Sequence, residues 1–300
     1  MMRKFFSPLA AAALASSLSF AAHAKSGWAE LNMTPGVTAI SRQIYGLHMM
    51  MFWVCVWVAV VVFGVMAYSI FAFRKSRGAV ADVTLTHSTT VEIIWTVLPI
   101  AILVATAVPA ATTLIKTEDL RNSQLTIRVT GFQWGWNYEY LNSGVSFFSK
   151  LDRASDAARQ LGSGVDVFTV PHYLLNVDHP LVVPVGTKVR VLVTAADVIH
   201  SWWVPAFGIK KDAIPGFVNE AWFNVDADKP GLYRGNCAEL CGRDHGFMPI
   251  VVDARSKEDF QTWLKAEQLA QHPPAAAEAS APAAAAPAAA SASAPAAVAK

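Results

Sequence analysis

From His48 to Phe73 the chain runs for 26 residues without one Asp, Glu, Lys or Arg. As a helix it would reach about 39 Å, longer than the ~30 Å hydrocarbon core of a bilayer. Surface helices of soluble proteins are apolar along one stripe only. This run is apolar all round, so it predicts a membrane span that tilts to absorb its excess length. Arg74, Lys75 and Arg77 follow at once, and a basic cluster there marks the cytoplasmic side. A second apolar run, Val91–Ile115, contains Pro99 and Pro109 and one acid, Glu92. Proline is tolerated in membrane helices better than in soluble ones. Residues 48–115 are thus expected to form a transmembrane hairpin with a cytoplasmic loop at 74–90 and N-cap candidates at Ser88, Thr89 and Thr90. Both long ends would lie outside.

Composition agrees. Charged residues are 15% and hydrophobic residues 54%, against roughly 25% charged in average soluble chains. A net charge of +2 excludes the strongly basic surface of a nucleic-acid binder. Three Cys are too few, and odd in number, for a disulfide framework. Met1–Ala24 reads as a signal peptide. Arg3 and Lys4 open it, an Ala/Leu/Phe-rich run follows, and Ala22-His23-Ala24 offers the small-x-small cleavage site. Residues 25–47 would then be a periplasmic N-terminal segment. At the other end, residues 273–300 hold 17 Ala and five Pro, with nothing large enough to build a core. The segment 272–300 is expected to be a disordered tail.

Between hairpin and tail, residues 116–271 change character. Leu125–Thr130 alternates with period two, as a half-buried strand does. Leu181–Pro184 and Lys188–Val193 flank Gly186, which suggests a β-hairpin. Trp222–Val225 and Pro249–Val252 are further short strands. The pattern predicts an all-β Greek-key sandwich or barrel. Ser256–Gln268 opens on a Ser N-cap and spaces Phe260, Trp263 and Leu264 as a closing helix would.

The chemistry concentrates in Cys237-Ala-Glu-Leu-Cys241-Gly-Arg-Asp-His245-Gly-Phe-Met248, with His200 upstream. Thiolate, imidazole and thioether donors together select copper. Tetrahedral zinc would not need the Met. A blue-copper site uses one thiolate, whereas two could bridge a pair of coppers. Each metal would then take one His and one weak outer ligand, Met248 or a backbone carbonyl. The competing reading is a Cys237–Cys241 disulfide with His245 and Met248 merely packed. Cys55 lies in the first apolar run and reads as a small buried hydrophobe.

These residues resemble subunit II of bacterial haem–copper cytochrome c oxidases, from about Gly46 to the closing helix. The Cys237-x-Glu239-x-Cys241-x3-His245-x2-Met248 loop matches the family's copper A motif at every ligand. Asp197–Trp202 matches the strand end that carries the first His. Lys211–Gly216 and Glu92-x-x-Trp95-Thr96-x-x-Pro99 match as well. The resemblance implies a cupredoxin-like periplasmic domain in which Cys237 and Cys241 bridge two coppers. His200 and Met248 complete one copper, and His245 with the Glu239 carbonyl the other. It implies Mg²⁺ or Mn²⁺ on the Glu239 side chain at the boundary with subunit I, a hard ion suited to a carboxylate. Haem would be held only by the partner subunit.

Within Gly131–Tyr140 the resemblance makes Trp134 the residue that takes electrons from cytochrome c, although Gly135 stands where the family usually has Tyr. Glu139, Asp178 and Asp197 become candidate acids for receiving the basic face of that cytochrome. Glu92 becomes the mouth of a proton-uptake path, in keeping with the functional weight of intramembrane acids. The alternatives are a quinol oxidase subunit II, whose family has generally lost these ligands, and a membrane-anchored copper carrier. Nitrous oxide reductase and a nitric oxide reductase subunit share features of the motif.

Overall fold

In a computed structural model, residues 32–80, 83–84 and 86–272 are described. The signal peptide expected at 1–24 and the tail from residue 273 lie outside the described residues.

The first helix, α1 (Ala39–Ala72), begins well ahead of the apolar run at His48. The cause is local. Thr38 Oγ1 accepts from Ser41 N at 3.0 Å, and Ser41 Oγ accepts from Thr38 N at 3.0 Å, a reciprocal capping box. The second helix, α2 (Thr89–Thr117), has Ser88 at its N-cap position and Glu92 in its first turn. Both helices are long and apolar enough to cross a membrane, and their apolar windows are unburied by the rest of the chain. The first turns of α1 lie beside the last turns of α2, with Gln43, Leu47 and Met50 facing Val108, Thr112 and Lys116, so the pair is antiparallel.

Among the described residues ten strands follow, in two sheets. They are β1 (Leu125–Phe132), β2 (Gly135–Tyr140), β3 (Val145–Ser149), β4 (Leu181–Pro184), β5 (Val189–Ala195), β6 (His200–Val204), β7 (Ile209–Ala213), β8 (Asn219–Phe223), β9 (Gly231–Cys237) and β10 (Pro249–Arg255). One sheet runs β3-β2-β1-β5-β8 and the other β4-β10-β9-β6-β7. A short helix α3 (Arg153–Ala158) sits in the long β3–β4 connection, and α4 (Lys257–Gln271) closes the fold from the Ser256 N-cap. The two inner faces supply one core, with Ile127, Val129, Tyr138, Val191, Trp202, Phe223 and Ile250 among its buried members.

The hairpin expected about Gly186 does not form. β4 pairs in parallel with β10, while β5 pairs with β1 and β8 in the opposite sheet. The turn is a crossover between sheets. Val185 N donates to Arg255 O at 2.8 Å, and Gly186 N donates to Val225 O at 2.7 Å. All four β4 residues are buried, so this strand lacks the solvent face that a simple hairpin arm would show.

Both membrane helices are fastened to the sandwich. Thr38 bridges to Val225, Thr38 Oγ1 donates to Phe207 O at 2.9 Å, and Val37 N donates to Ala206 O at 2.9 Å. Arg42 and Asp226 form an ion pair beside them. Gly208 makes the approach possible. Its φ is +69°, and a Cβ there would lie 2.9 Å from Ser41 Cα. At the end of α2, Lys116 O accepts from Trp222 Nε1 at 3.2 Å. Lys188 Nζ donates to Asp119 O at 2.6 Å and to Arg121 O at 2.7 Å.

Tyr140 ties the two sheets together. Its hydroxyl donates to Val182 O at 2.6 Å and accepts from Val182 N at 3.1 Å. Tyr140→Phe would leave two buried backbone groups unpaired. We expect a loss of about 1–3 kcal/mol, read as a lowered midpoint in denaturant unfolding followed by tryptophan fluorescence.

Candidate metal centre

Three neighbouring strands of the second sheet bring most of the donors together. Trp202 of β6 pairs with Cys237 of β9, and Ala238 N donates to Ser201 O at 3.0 Å. This sets His200, two residues before Trp202, beside the end of β9. Pro249 of β10 pairs with Asn236 of β9, so Met248 arrives next to Cys237. The connecting segment then folds back through Cys241 and the short 3₁₀ turn His245–Phe247.

His200, Cys237 and Cys241 are buried, and their donor atoms all lie within 4.8 Å of one another. Cys237 Sγ is 3.9 Å from Cys241 Sγ, and both thiols are free. The disulfide alternative is therefore not adopted. His245 Nδ1 stands 3.5 Å and Met248 Sδ 3.4 Å from Cys241 Sγ. His200 Nδ1 is 3.9 Å from Cys237 Sγ, and the Glu239 carbonyl oxygen lies 3.3 Å from the same sulfur. The Glu239 side chain is exposed at the tip of the loop. Two imidazoles, a thioether and a carbonyl thus gather about the two thiols, a soft donor set that fits copper.

The surroundings orient these donors. Asp197 Oδ1 accepts from His200 Nε2 at 3.0 Å, which leaves Nδ1 toward the sulfurs, a common support for a metal-binding imidazole. Gly131 of β1 lets the ring pack close. A Cβ there would lie 2.9 Å from His200 Cδ2. Trp136 meets the same ring edge-on at 6.0 Å. Burial pushes the Cys241 thiol up, and the neighbouring Cys237 pushes it further. Burial also opposes ionisation of Cys237, but its contacts with the His200 side chain and with the backbone of Ser201 and Glu239 outweigh it and bring that thiol down. The Asp197 carboxylate is desolvated, yet His200 and the Val198 and Gln133 amides hold it below its ordinary range.

The other residues singled out in the sequence occupy varied settings. Trp134 is half-buried beside the centre, and its Nε1 donates to Cys241 O at 3.2 Å. Arg243 lies 5.5 Å over its ring. Gly135 has no room for a larger residue, because a Cβ would meet the Phe132 ring at 2.8 Å and Ser149 O at 2.9 Å. Glu139 pairs with Arg128 across β1 and β2. Asp178 accepts from the Lys150 and His179 amides, each at 2.8 Å. Glu92 sits at the far end of the hairpin, where Thr96 Oγ1 donates to its backbone oxygen at 2.8 Å. Cys55 is exposed on α1 rather than buried within the chain, because that helix face has no protein neighbour here. The reading of the sequence missed Gly131 and Gln133. A lone Gly inside a strand is a signal of close approach. Gln133 carried no signal at all.

Residues 125–255 match the family "Cytochrome C oxidase subunit II, periplasmic domain", and residues 26–112 match its "transmembrane domain". A probable cytochrome c oxidase subunit 2 of Rickettsia prowazekii (strain Madrid E) is 39% identical over 236 residues, covering 78% of this chain and 71% of that protein. Cytochrome c oxidase subunit 2 of Cereibacter sphaeroides is 35% identical over 239 residues, covering 77% of this chain and 78% of that one. The crystal structure of the periplasmic domain of subunit II of cytochrome oxidase from Bradyrhizobium japonicum is 41% identical, with a TM-score of 0.43. It covers 50% of this chain and 96% of that chain.

Two outcomes follow from the geometry. Gly131→Ala should push His200 out of place and weaken copper binding by about 10–100-fold, measured by competition with a chelator. Copper affinity should also rise with pH through the neutral range, because Cys241 holds its proton there and must lose it to become a ligand. A pH-independent affinity would contradict that ionisation.

Proposed function

The chain belongs to the cytochrome c oxidase subunit II family, and on that premise we propose that it is the electron-input subunit of a haem–copper oxidase. It takes electrons from cytochrome c at a binuclear copper A centre on its periplasmic domain. They go on to haem in subunit I, where oxygen is reduced to water. The observation that carries this reading is the convergence of His200, Cys237 and Cys241 with His245 and Met248 beside them.

Cys237 and Cys241 would bridge the two metals. His200 with Met248 would complete one, and His245 with the Glu239 carbonyl the other. Bound there, the metal pair supplies a one-electron couple spread over both coppers and both sulfurs. The chain's own part is to hold that couple still and dry. The buried sulfurs and the His200 ring exclude water, and Asp197 fixes which imidazole nitrogen faces inward. A rigid donor set changes little between oxidation states, which keeps reorganisation small. Trp134 fits the role of electron acceptor, being open to solvent on one side and hydrogen-bonded to Cys241 on the other. The exposed Glu239 carboxylate would bind Mg²⁺ or Mn²⁺ against subunit I.

Of the candidate docking acids, Glu139 and Asp178 can be reversed in charge without touching the centre. Asp197 cannot, since its carboxylate serves His200. The two apolar helices anchor the chain in the membrane against lipid and the other oxidase subunits, with the copper domain in the periplasm. A copper carrier would need exposed, exchangeable donors, and burial of both Cys, His200 and Met248 argues against it.

Copper analysis with EPR on the full chain tests the reading. Two coppers sharing one unpaired spin should give more hyperfine lines than one nucleus can. A one-copper spectrum would sink the binuclear assignment. Glu92→Ala should slow turnover of the assembled oxidase while leaving that spectrum intact. Wild-type turnover in the variant would remove Glu92 from proton uptake.

A further inference from the structure

We propose that Gln133 is a positioning residue that braces the two ligand-bearing loops of the metal centre against each other. The inference rests on the reading of that cluster as a redox metal centre. Gln133 sits in the turn between β1 and β2. Its backbone N donates to Asp197 Oδ2 at 2.7 Å. The other oxygen of that carboxylate holds His200 Nε2 at 3.0 Å and the Val198 amide at 2.6 Å. Its side-chain Nε2 donates to Cys241 O at 2.9 Å. One residue therefore reaches the His200 arm through its backbone and the Cys241 arm through its side chain.

The loop is shaped to receive this contact. Gly242 follows Cys241 with φ at +119°, and a Cβ there would lie 3.0 Å from Gln133 Nε2. Any other residue would be strained and would crowd the amide. Cys241 O also accepts from Trp134 Nε1 at 3.2 Å. With both donors in place the Cys241 peptide is held at two points and cannot pivot. With the Gln133 amide removed it hangs on the indole alone. The Cys241 sulfur, carried by that residue, would then change its direction toward the metals.

The backbone arm survives any substitution at this position except proline, so side-chain variants isolate the Cys241 arm. Gln133→Met keeps length and volume but has no N–H, and Gln133→Ala removes the side chain. Both would be made in the full chain within the assembled oxidase. Copper content should stay at the wild-type level. The EPR hyperfine pattern of the copper centre should shift. The kcat for cytochrome c oxidation should fall about tenfold, with KM for cytochrome c unchanged. A wild-type spectrum in both variants would overturn the proposal. A raised KM with an unaltered spectrum would do the same and assign Gln133 to docking. If Gln133→Ala fails to accumulate, Gln133→Met alone decides, since it preserves packing. The wild-type oxidase serves as the control. Absence of a shared-spin spectrum in the wild type counts against the electron-input reading, not against Gln133.

Discussion

The parallel pairing of β1 with β5 is the constraint on which the rest of the structure depends. Its register sets Gly131 against Ala195 and lets Ala196 N donate to Gly131 O at 2.9 Å. The chain leaving β5 must therefore turn over the end of β1 before it can cross to the second sheet. That turn carries Asp197, and the next strand begins with His200. A one-residue slip would exchange the faces of β5, exposing Val189, Val191 and Val193, which are fully buried. The hydrophobic core and the place of the first imidazole are thus set by one ladder.

The second sheet completes the centre by adjacency. β6, β9 and β10 lie side by side, and each contributes a donor at or next to its end at the same edge of the sandwich. The Glu239 carbonyl, Cys241 and His245 come from the loop between β9 and β10. This division explains why the donor set is so buried. The strands that present the donors are also walls of the core, to which Trp202, Cys237 and Met248 belong.

How much of this the sequence disclosed depends on where the cause resides. The membrane helices and the Cys237–Met248 motif were legible, because apolar length and donor spacing are local properties. The early start of α1 was not, because it rests on Thr38 and Ser41 capping each other against the backbone of Phe207. The Gly186 turn was misjudged for a related reason. Two short apolar runs about a Gly look like a hairpin whether or not they share a sheet, and only pairing with β10 decides it. The acids were the least legible. Asp197, Glu139 and Asp178 are alike as letters, yet one holds an imidazole, one pairs with Arg128 and one caps backbone amides. Gln133 is the extreme case, an ordinary turn residue whose importance exists only through the two loops it touches.

The double fastening of the sandwich to the membrane helices has a consequence for rate. Electron tunnelling weakens exponentially with distance, so a domain swinging on a single tether would spend much of its time too far from any acceptor within the bilayer. Here the start of α1 is locked to the Ala206–Gly208 turn, and the end of α2 is locked through Lys116 to Trp222 and, just beyond it, through Asp119 and Arg121 to Lys188. Two separated clamps remove both sway and rotation. The sandwich behaves as a fixed mast rather than a buoy, holding a constant gap across which each electron must jump.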